Sequence, residues 1–447
     1  MKLKLIVASM SVLGLVSTSA FAVDAPAKHK NHHIKKHHVA ASQVDYKAMG
    51  ALPVVDTCSV STQYSNVLDT MDQTLGRAKP SEDCNKLITF AGGMNLDAHW
   101  GNRNINYQGR NNQRMSLNDA YLNIFGNVNQ YVKAFATLSY GDPTERSQNL
   151  SFVLAAPSAG KVKPFGEYSG VYTANGENKV TLEQGFIRIS NFDAYPYFIQ
   201  LGKQFTDFGR YKIHAITRSV TQSLSETLAT TAELGFVLPT GFHGDVYAFD
   251  NPVAPYEKGL KGHSKVNYGA SVGYDMQDDK LGYDLNLGYL YNITGVNDVA
   301  HLYDAYVANR GYDTRVGAIA LDAIVKSGPF SLIGDYVLAT TRFSKLDIKN
   351  HLGGSVGAQP WAGNLQAGYN FNGLNRNQNV YLGYQVTEEA VFFNLPKSRW
   401  TAGWNVDLWK NTNLGFEFGH DVDYSAGDGG TGEASNTLAV RAAVKFG

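Results

Sequence analysis

Residues 436–447 read NTLAVRAAVKFG. Taken two at a time they separate into an apolar set, Leu438, Val440, Ala442, Val444 and Phe446, and a second set, Ala439, Arg441, Ala443 and Lys445. That is the alternation of a β-strand whose two faces meet different surroundings. A soluble antiparallel sheet allows it, but does not call for an aromatic beside the terminus or for the same scheme along the rest of the chain.

The scheme does recur. GGMNLDAHW (92–100) puts Met94, Leu96, Ala98 and Trp100 on one face against Asn95, Asp97 and His99, and KLGYDLNLGYLYN (280–292) puts Tyr283, Leu285, Leu287, Tyr289 and Tyr291 against Asp284, Asn286 and Gly288. WAGNLQAGYNF and RWTAGWNVDLW repeat it. One face is apolar with aromatics, and the other carries carboxylates and amides, as suits lipid outside and water inside. With 45 Gly, 26 Tyr and 22 Phe in 447 residues and only 17% charged, the composition is that of strands and turns.

Seven short turn sequences separate the alternating runs: 127–130, 191–196, 238–241, 276–280, 326–329, 372–378 and 410–413. Seven turns at one mouth of a barrel with both termini at that mouth make eight hairpins. The expected fold is therefore all-β, a 16-stranded antiparallel transmembrane barrel over 87–447. Its last strand pairs with a first strand near 88–101, because an open edge has no partner in hydrocarbon. LSFVLAA (150–156) would make a seventeenth strand and break the even rule, so it is placed in an external loop of about 142–178. Aromatics should gather in two bands, Tyr197, Phe242, Tyr274, Tyr283, Phe330, Phe371, Trp409 and Phe446 at the periplasmic end, and Trp100, Tyr140, Tyr291, Tyr336, Trp361 and Trp400 at the external end. The terminal aromatic also resembles the signal read by barrel-assembly machinery.

Upstream, MKLKLIVASMSVLGLVSTSAFA (1–22) reads as a signal peptide: Lys2 and Lys4, an apolar run, and a small-residue cleavage site. Residues 23–86 form an N-terminal periplasmic extension. KHKNHHIKKHH (28–38) holds five His and four Lys around one apolar residue and cannot build a core. Its imidazoles could ligate Zn, Cu or Ni, but it reads first as a solvated basic linker. Tyr64, Val67, Leu68, Met71 and Leu75 make one helical stripe ending at Gly76, either a cap under the barrel or a docking helix. Cys58 and Cys84 flank that helix in an oxidising compartment and are expected to form one disulfide; no cysteine-based metal site remains.

Function classes narrow accordingly. Net charge from residue 41 onward is about −5, because six of the 39 basic residues but one of the 39 acidic ones precede it, so no nucleic-acid partner is expected. No spacing of His, Ser and Asp marks a nucleophile with its base, so the chain reads as a non-enzyme that requires no cofactor. Sixteen strands leave an aqueous channel. By parity its lining includes Asp97, Asp119, Lys133, Arg188, Asp245, Asp284, Arg315, Asp335, Arg399, Asp407, Glu417, Arg441 and Lys445, a polar wall of mixed sign.

The external loop 207–230, DFGRYKIHAITRSVTQSLSETLAT, lacks strand alternation and sets Arg210, Lys212, His214 and Arg218 among Phe208 and Tyr211. Cations among aromatics suit an anionic, partly planar ligand. Folded into the lumen, these six residues would form a ligand-binding constriction; left outside, they would face lipopolysaccharide and outer-membrane lipid.

LGKQFTDFGRYKIHAITRSVTQSLSETLATTAELGF (201–236) and NLPKSRW (394–400) resemble recurrent segments of the LbtU-like siderophore porins, the legiobactin-receptor type. The resemblance implies uptake of a ferric siderophore of carboxylate type through a plug-less barrel. The 64 residues between cleavage site and first strand are too few for a large folded plug. A general or anion-preferring diffusion porin is the alternative.

Overall fold

The computed structural model describes residues 87–102, 112–129, 131–140, 180–191, 194–210, 213–238, 240–255, 265–277, 281–300, 311–351 and 354–446. The signal peptide, the extension with Cys58 and Cys84, the segment 150–156, and Tyr211 and Lys212 lie outside these residues.

Sixteen strands follow one another around a closed antiparallel barrel. In chain order they are β1 (Ile88–Gly101), β2 (Asn112–Asn127), β3 (Val132–Tyr140), β4 (Thr181–Ser190), β5 (Tyr197–Phe205), β6 (Leu228–Val237), β7 (Phe242–Asp250) and β8 (Val266–Gln277). Then come β9 (Leu281–Leu290), β10 (Ala318–Ser327), β11 (Phe330–Ala339), β12 (Trp361–Gly373), β13 (Arg376–Glu388), β14 (Ser398–Trp409), β15 (Thr412–Val422) and β16 (Ala434–Phe446). A short helix, α1 (Val220–Ser225), stands between β5 and β6. Among the described residues no helix is long and apolar enough to cross a membrane.

The terminal stretch behaves as its alternation requires. Leu438, Val444 and Phe446 are 43–50% exposed on the outside, while Ala439, Arg441 and Ala443 are at most 6% exposed on the inside. A girdle of such apolar residues has to meet lipid. β16 pairs with β1 from Gly92↔Phe446 to Gly101↔Thr437 and closes the wall. At this seam Asp97 stands directly opposite Arg441, and the guanidinium grips the carboxylate with two bonds, Nε–Oδ1 2.7 Å and Nη2–Oδ2 2.6 Å.

All seven expected turns join neighbouring strands at one mouth. The two-residue turn between β12 and β13 places Leu374 and Asn375 at φ 55° and 57°, the paired left-handed geometry of a type I′ hairpin. One departure from strict parity is informative. An extra residue between Asp407 and Trp409 shifts the β14–β15 register, and this bulge re-aims Trp409 outward, where it is 65% exposed in the aromatic band.

Arg315 corrects a parity assignment. It precedes β10 on the outward phase shared with Leu321, is exposed, and lies 4.0 Å over the Tyr291 ring. It therefore belongs to the outer aromatic band and does not line the lumen. The expected loop 207–230 also shortens: Leu228, Ala229 and Thr230 are strand, so the β5–β6 connection is 206–227.

On the expectation that both ends of the barrel lie in the periplasm, the turn mouth is the periplasmic one. In a background with both native cysteines replaced by Ser, Asn375→Cys is expected to be protected from an impermeant thiol reagent in intact cells and Asp428→Cys to be labelled; equal surface labelling of both would refute the orientation.

Candidate functional site

The β5–β6 connection does not stay at the external mouth. It crosses the lumen and is bonded in turn to wall residues that the alternation aims inward. The Arg210 backbone N–H donates to Asp322 Oδ1 on β10 at 3.2 Å. The His214 N–H donates to Gln366 Oε1 on β12 at 2.9 Å, and its Nε2 lies 2.7 Å from Ser331 Oγ on β11. Ile216 N–H donates to Glu417 Oε2 on β15 at 2.7 Å, and Thr217 donates to Oε1 through its hydroxyl at 2.5 Å and its N–H at 3.3 Å. Val220 N–H, in the first turn of α1, donates to Gln385 Oε1 on β13 at 2.9 Å. Ile216 reaches Ala439 on β16 in a small apolar contact. A non-regular backbone carried into a channel must find partners for its N–H groups, and here inward carboxylates and amides supply them.

Local sequence sets the shape. Ser219 caps α1 through an Oγ that accepts from the Gln222 N–H at 3.2 Å. Val220 and Leu224 of α1 then enter an apolar cluster with Phe208 of the same connection and with Ile293, Val296, Val299, Phe343 and Phe393, drawn from the other long connections. This cluster differs from the wholly polar lumen that parity alone gives, because loop residues obey no strand alternation. Two wall glycines make room: a Cβ on Gly288 would sit 2.3 Å from the Phe208 carbonyl oxygen, and one on Gly368 2.5 Å from His214 Nε2.

Electrostatics explain why arginine stands at 210. The inner wall from β6 to β11 carries Glu233, Asp245, Asp275, Asp284, Asp322 and Asp335, with Asp275 directly opposite Asp284 and Asp322 directly opposite Asp335. Like charges facing each other across strands are unfavourable. Arg210 enters this wall, Nη1 2.5 Å from Asp284 Oδ1 and 3.9 Å from Asp275 Oδ1. Burial alone would depress its pKa, but Asp284, Asp275, Asp207 and Asp322 raise it above the ordinary guanidinium value. Arg218 is held by Asp298 Oδ2 at 2.5 Å and Glu226 Oε1 at 3.1 Å.

The sequence-derived site residues thus divide. Arg210, His214, Arg218 and Phe208 all come into the lumen, with Phe208 and His214 turned into the packing at 0% and 1% exposure. Among the wall residues, Glu417 anchors the loop and also accepts from the Tyr381 hydroxyl at 2.7 Å. Arg399 binds Asp421 with two bonds of 2.6 and 2.8 Å and donates to the Arg218 carbonyl at 3.1 Å. Asp335 accepts from Asn364 at 2.6 Å. Arg188 lies over Phe198 and donates to Gln200 Oε1 at 2.7 Å. Gln366, Gln385 and Asp322 were not singled out from sequence, although their inward parity beside a non-alternating loop was the available signal.

His214 makes the loop acid-sensitive. Burial holds its pKa at about 4, and among the described residues its Nδ1 meets no partner. The group is neutral in the docked loop and titrates near its ordinary value when released. The docked loop keeps its full stability above about pH 6.5 and loses it as pH falls toward about 4, on the order of 3 kcal/mol in all. Channel conductance is expected to rise across that interval, and His214→Gln is expected to flatten the rise. An identical profile in the variant would assign the effect to wall carboxylates instead.

No family model matches the chain. It is similar to a UPF0422 protein of Coxiella burnetii, 25% identical over 342 residues, 76% of this chain and 65% of that protein. The UPF0422 protein lpg2959 of Legionella pneumophila is 27% identical over 293 residues, 59% of this chain and 53% of that protein. The matches span about half to two thirds of these relatives' own length. Among solved structures, the barrel resembles an anion-selective porin from Comamonas acidovorans, with TM-score 0.52, 12% identity, and 80% of this chain and 99% of that one covered. It also resembles OprB of Pseudomonas putida, with TM-score 0.53, 11% identity, and 82% and 96% covered. Closed wall, lipid-facing girdle and these likenesses agree: the chain is an outer-membrane β-barrel of the porin fold.

Proposed function

We propose that this barrel is a constricted porin for hydrophilic solutes and that its ligand is a ferric siderophore of carboxylate type. The observation that carries the constricted channel is the loop 206–227, bonded at its far point to Glu417 across the lumen. The siderophore is supported by the family resemblance, whose longer segment, 201–236, is that loop with its two flanking strands. On this reading Arg210, Lys212 and Arg218, with Tyr211, form the ligand-facing set, Phe208 and His214 hold the loop from behind as buried packing residues, and the barrel works without a large folded plug. The barrel-assembly machinery inserts it among outer-membrane lipid and lipopolysaccharide.

A second reading, a general or anion-preferring diffusion porin, is favoured by a specific observation. Arg210 and Arg218 already engage Asp284, Asp298 and Glu226, so an anion gripped there has to compete with built-in carboxylates. Uptake of labelled ferric siderophores by cells with and without the gene under iron limitation separates the two. Loss of uptake with the gene supports the first reading, and unchanged uptake beside a measurable ion conductance leaves the second.

The triple variant Arg210→Gln, Lys212→Gln, Arg218→Gln refines this. A charge-assisted contact is worth roughly 1.5–3 kcal/mol, so siderophore affinity is expected to fall at least about tenfold and to lose its salt dependence. Unchanged affinity would remove the loop from the binding site.

A further inference from the structure

Arg210, Arg218, Arg342, Arg399 and Arg441 each hold a carboxylate oxygen at 2.5–2.6 Å. Arg315 does not. It is exposed on the outward phase just ahead of β10, its Nη1 donates to the Tyr291 carbonyl at 2.8 Å, and its guanidinium lies 4.0 Å over the Tyr291 ring. Asp313, two residues earlier, instead accepts from the Ser344 hydroxyl at 2.9 Å. Among the described residues no carboxylate pairs with Arg315, and the other N–H groups of its planar fork make no bond. A cation on the lipid-facing side of a barrel is unfavourable unless it reaches the headgroup layer and meets an anion there.

The surroundings of Arg315 suit such an anion. Tyr291 is stacked on Tyr268 with ring centroids 4.3 Å apart and planes at 19°, a fixed platform under the guanidinium. Gly317 follows Arg315 by two residues on the same face. It puts no side chain in front of Tyr289, whose Oη lies 3.4 Å from where a Cβ would stand and makes no bond among the described residues. Thr340 closes the far side, its hydroxyl donating to the Gly317 carbonyl at 3.1 Å. A planar cationic fork beside an O–H donor matches phosphate, whose oxygens accept. Depth agrees as well. Tyr336 and Trp361, with ring centroids 5.7 Å apart, continue the same external aromatic band, and such bands sit at headgroup level. In the outer leaflet of an outer membrane the headgroup layer is lipopolysaccharide, whose lipid anchor carries phosphates.

We propose that Arg315 and Tyr289 hold a phosphate group of lipopolysaccharide against the external rim of the barrel. The guanidinium, steadied by the Tyr291 ring and carbonyl, makes the charge-assisted contact, and the Tyr289 hydroxyl donates a second bond. The site lies on the outer face and is independent of which solute passes. It rests on the orientation that puts the turn mouth in the periplasm, which the thiol labelling of positions 375 and 428 tests separately.

The test titrates the folded barrel, purified in mild detergent, with diphosphorylated lipid A and reads the bound fraction by native mass spectrometry, with the heat-modifiable folded band confirming each variant. Arg315→Gln is expected to weaken binding about tenfold, and Arg315→Lys, which keeps the charge without the fork, to weaken it less. Dephosphorylated lipid A is expected to bind the unaltered protein about as weakly as diphosphorylated lipid A binds Arg315→Gln. Lys345→Gln, an exposed site on the β11–β12 connection, serves as the charge control and is expected to leave binding unchanged. Undiminished binding by Arg315→Gln, or equal binding of the dephosphorylated lipid, would overturn the proposal. So would an equal loss in Lys345→Gln, which would assign retention to overall charge, or full displacement by an equal concentration of inorganic phosphate, which would assign the site to a soluble anion.

Discussion

Glu417→Ala is expected to raise single-channel conductance severalfold while leaving the barrel inserted. Its carboxylate accepts from the Ile216 N–H, the Thr217 N–H and hydroxyl, and the Tyr381 hydroxyl, and is itself 2% exposed. Hydrogen bonds to a charged group contribute roughly 1.5–3 kcal/mol each, and donors left buried without an acceptor add their desolvation cost. Loss of the acceptor therefore removes several kcal/mol from the docked loop, enough to move a two-state equilibrium by about three to four powers of ten. The strands around Glu417 keep their ladders, so the effect falls on the loop. Glu417→Gln keeps the shape but loses the charge and is expected to lie between. A planar-bilayer recording of the three proteins checks this, and equal conductance in all three would mean that Glu417 does not hold the constriction.

The second large effect is expected at the seam. Arg441→Ala leaves Asp97, 1% exposed, facing an alanine across the closing β1–β16 pair. Removing one partner of a buried ion pair costs about 3–5 kcal/mol, because the remaining charge has lost both water and counter-ion. The expected outcome is a marked fall in the temperature at which the heat-modifiable folded band is lost. The paired change Asp97→Asn with Arg441→Gln leaves no orphaned charge and is expected to recover most of the loss. Equal loss in the single and paired variants would show that packing, not charge pairing, secures the seam.

The wall was legible because its physics is local. Alternation with period two places lipid-facing Leu438 and lumen-facing Arg441 without reference to any other strand, and turn composition marks where each hairpin reverses. Even the seam partner follows, since the last strand has to pair with the first. The bulge at Leu408 was not legible, because a single inserted residue changes a side chain's direction without a compositional mark, whereas the outward phase of Arg315 follows from the parity it shares with Leu321 on β10.

The lumen was legible only in part. The basic and aromatic content of 207–230 drew attention to the loop that enters the channel. Sequence alone could not say that Asp284 would meet Arg210 or that Glu417 would receive Ile216 and Thr217, because those contacts join residues 74 and about 200 positions apart. The wall supplied hints that now read clearly. Inward glycines at 288 and 368 and inward amides at 366 and 385 are what a wall needs where backbone comes close.

The crossing of the lumen by the β5–β6 connection is tested most directly by joining its tip to the opposite wall. Ile216→Cys with Ala439→Cys, in a chain whose native cysteines are replaced by Ser, is expected to form a disulfide on mild oxidation, with the 216–439 linked peptide identified by mass spectrometry. Asn413→Cys with Ala443→Cys, neighbours on β15 and β16, serves as the control for oxidation. Formation of both links is the predicted result; a linked control with free thiols at 216 and 439 would contradict the account and return the loop to the outer surface.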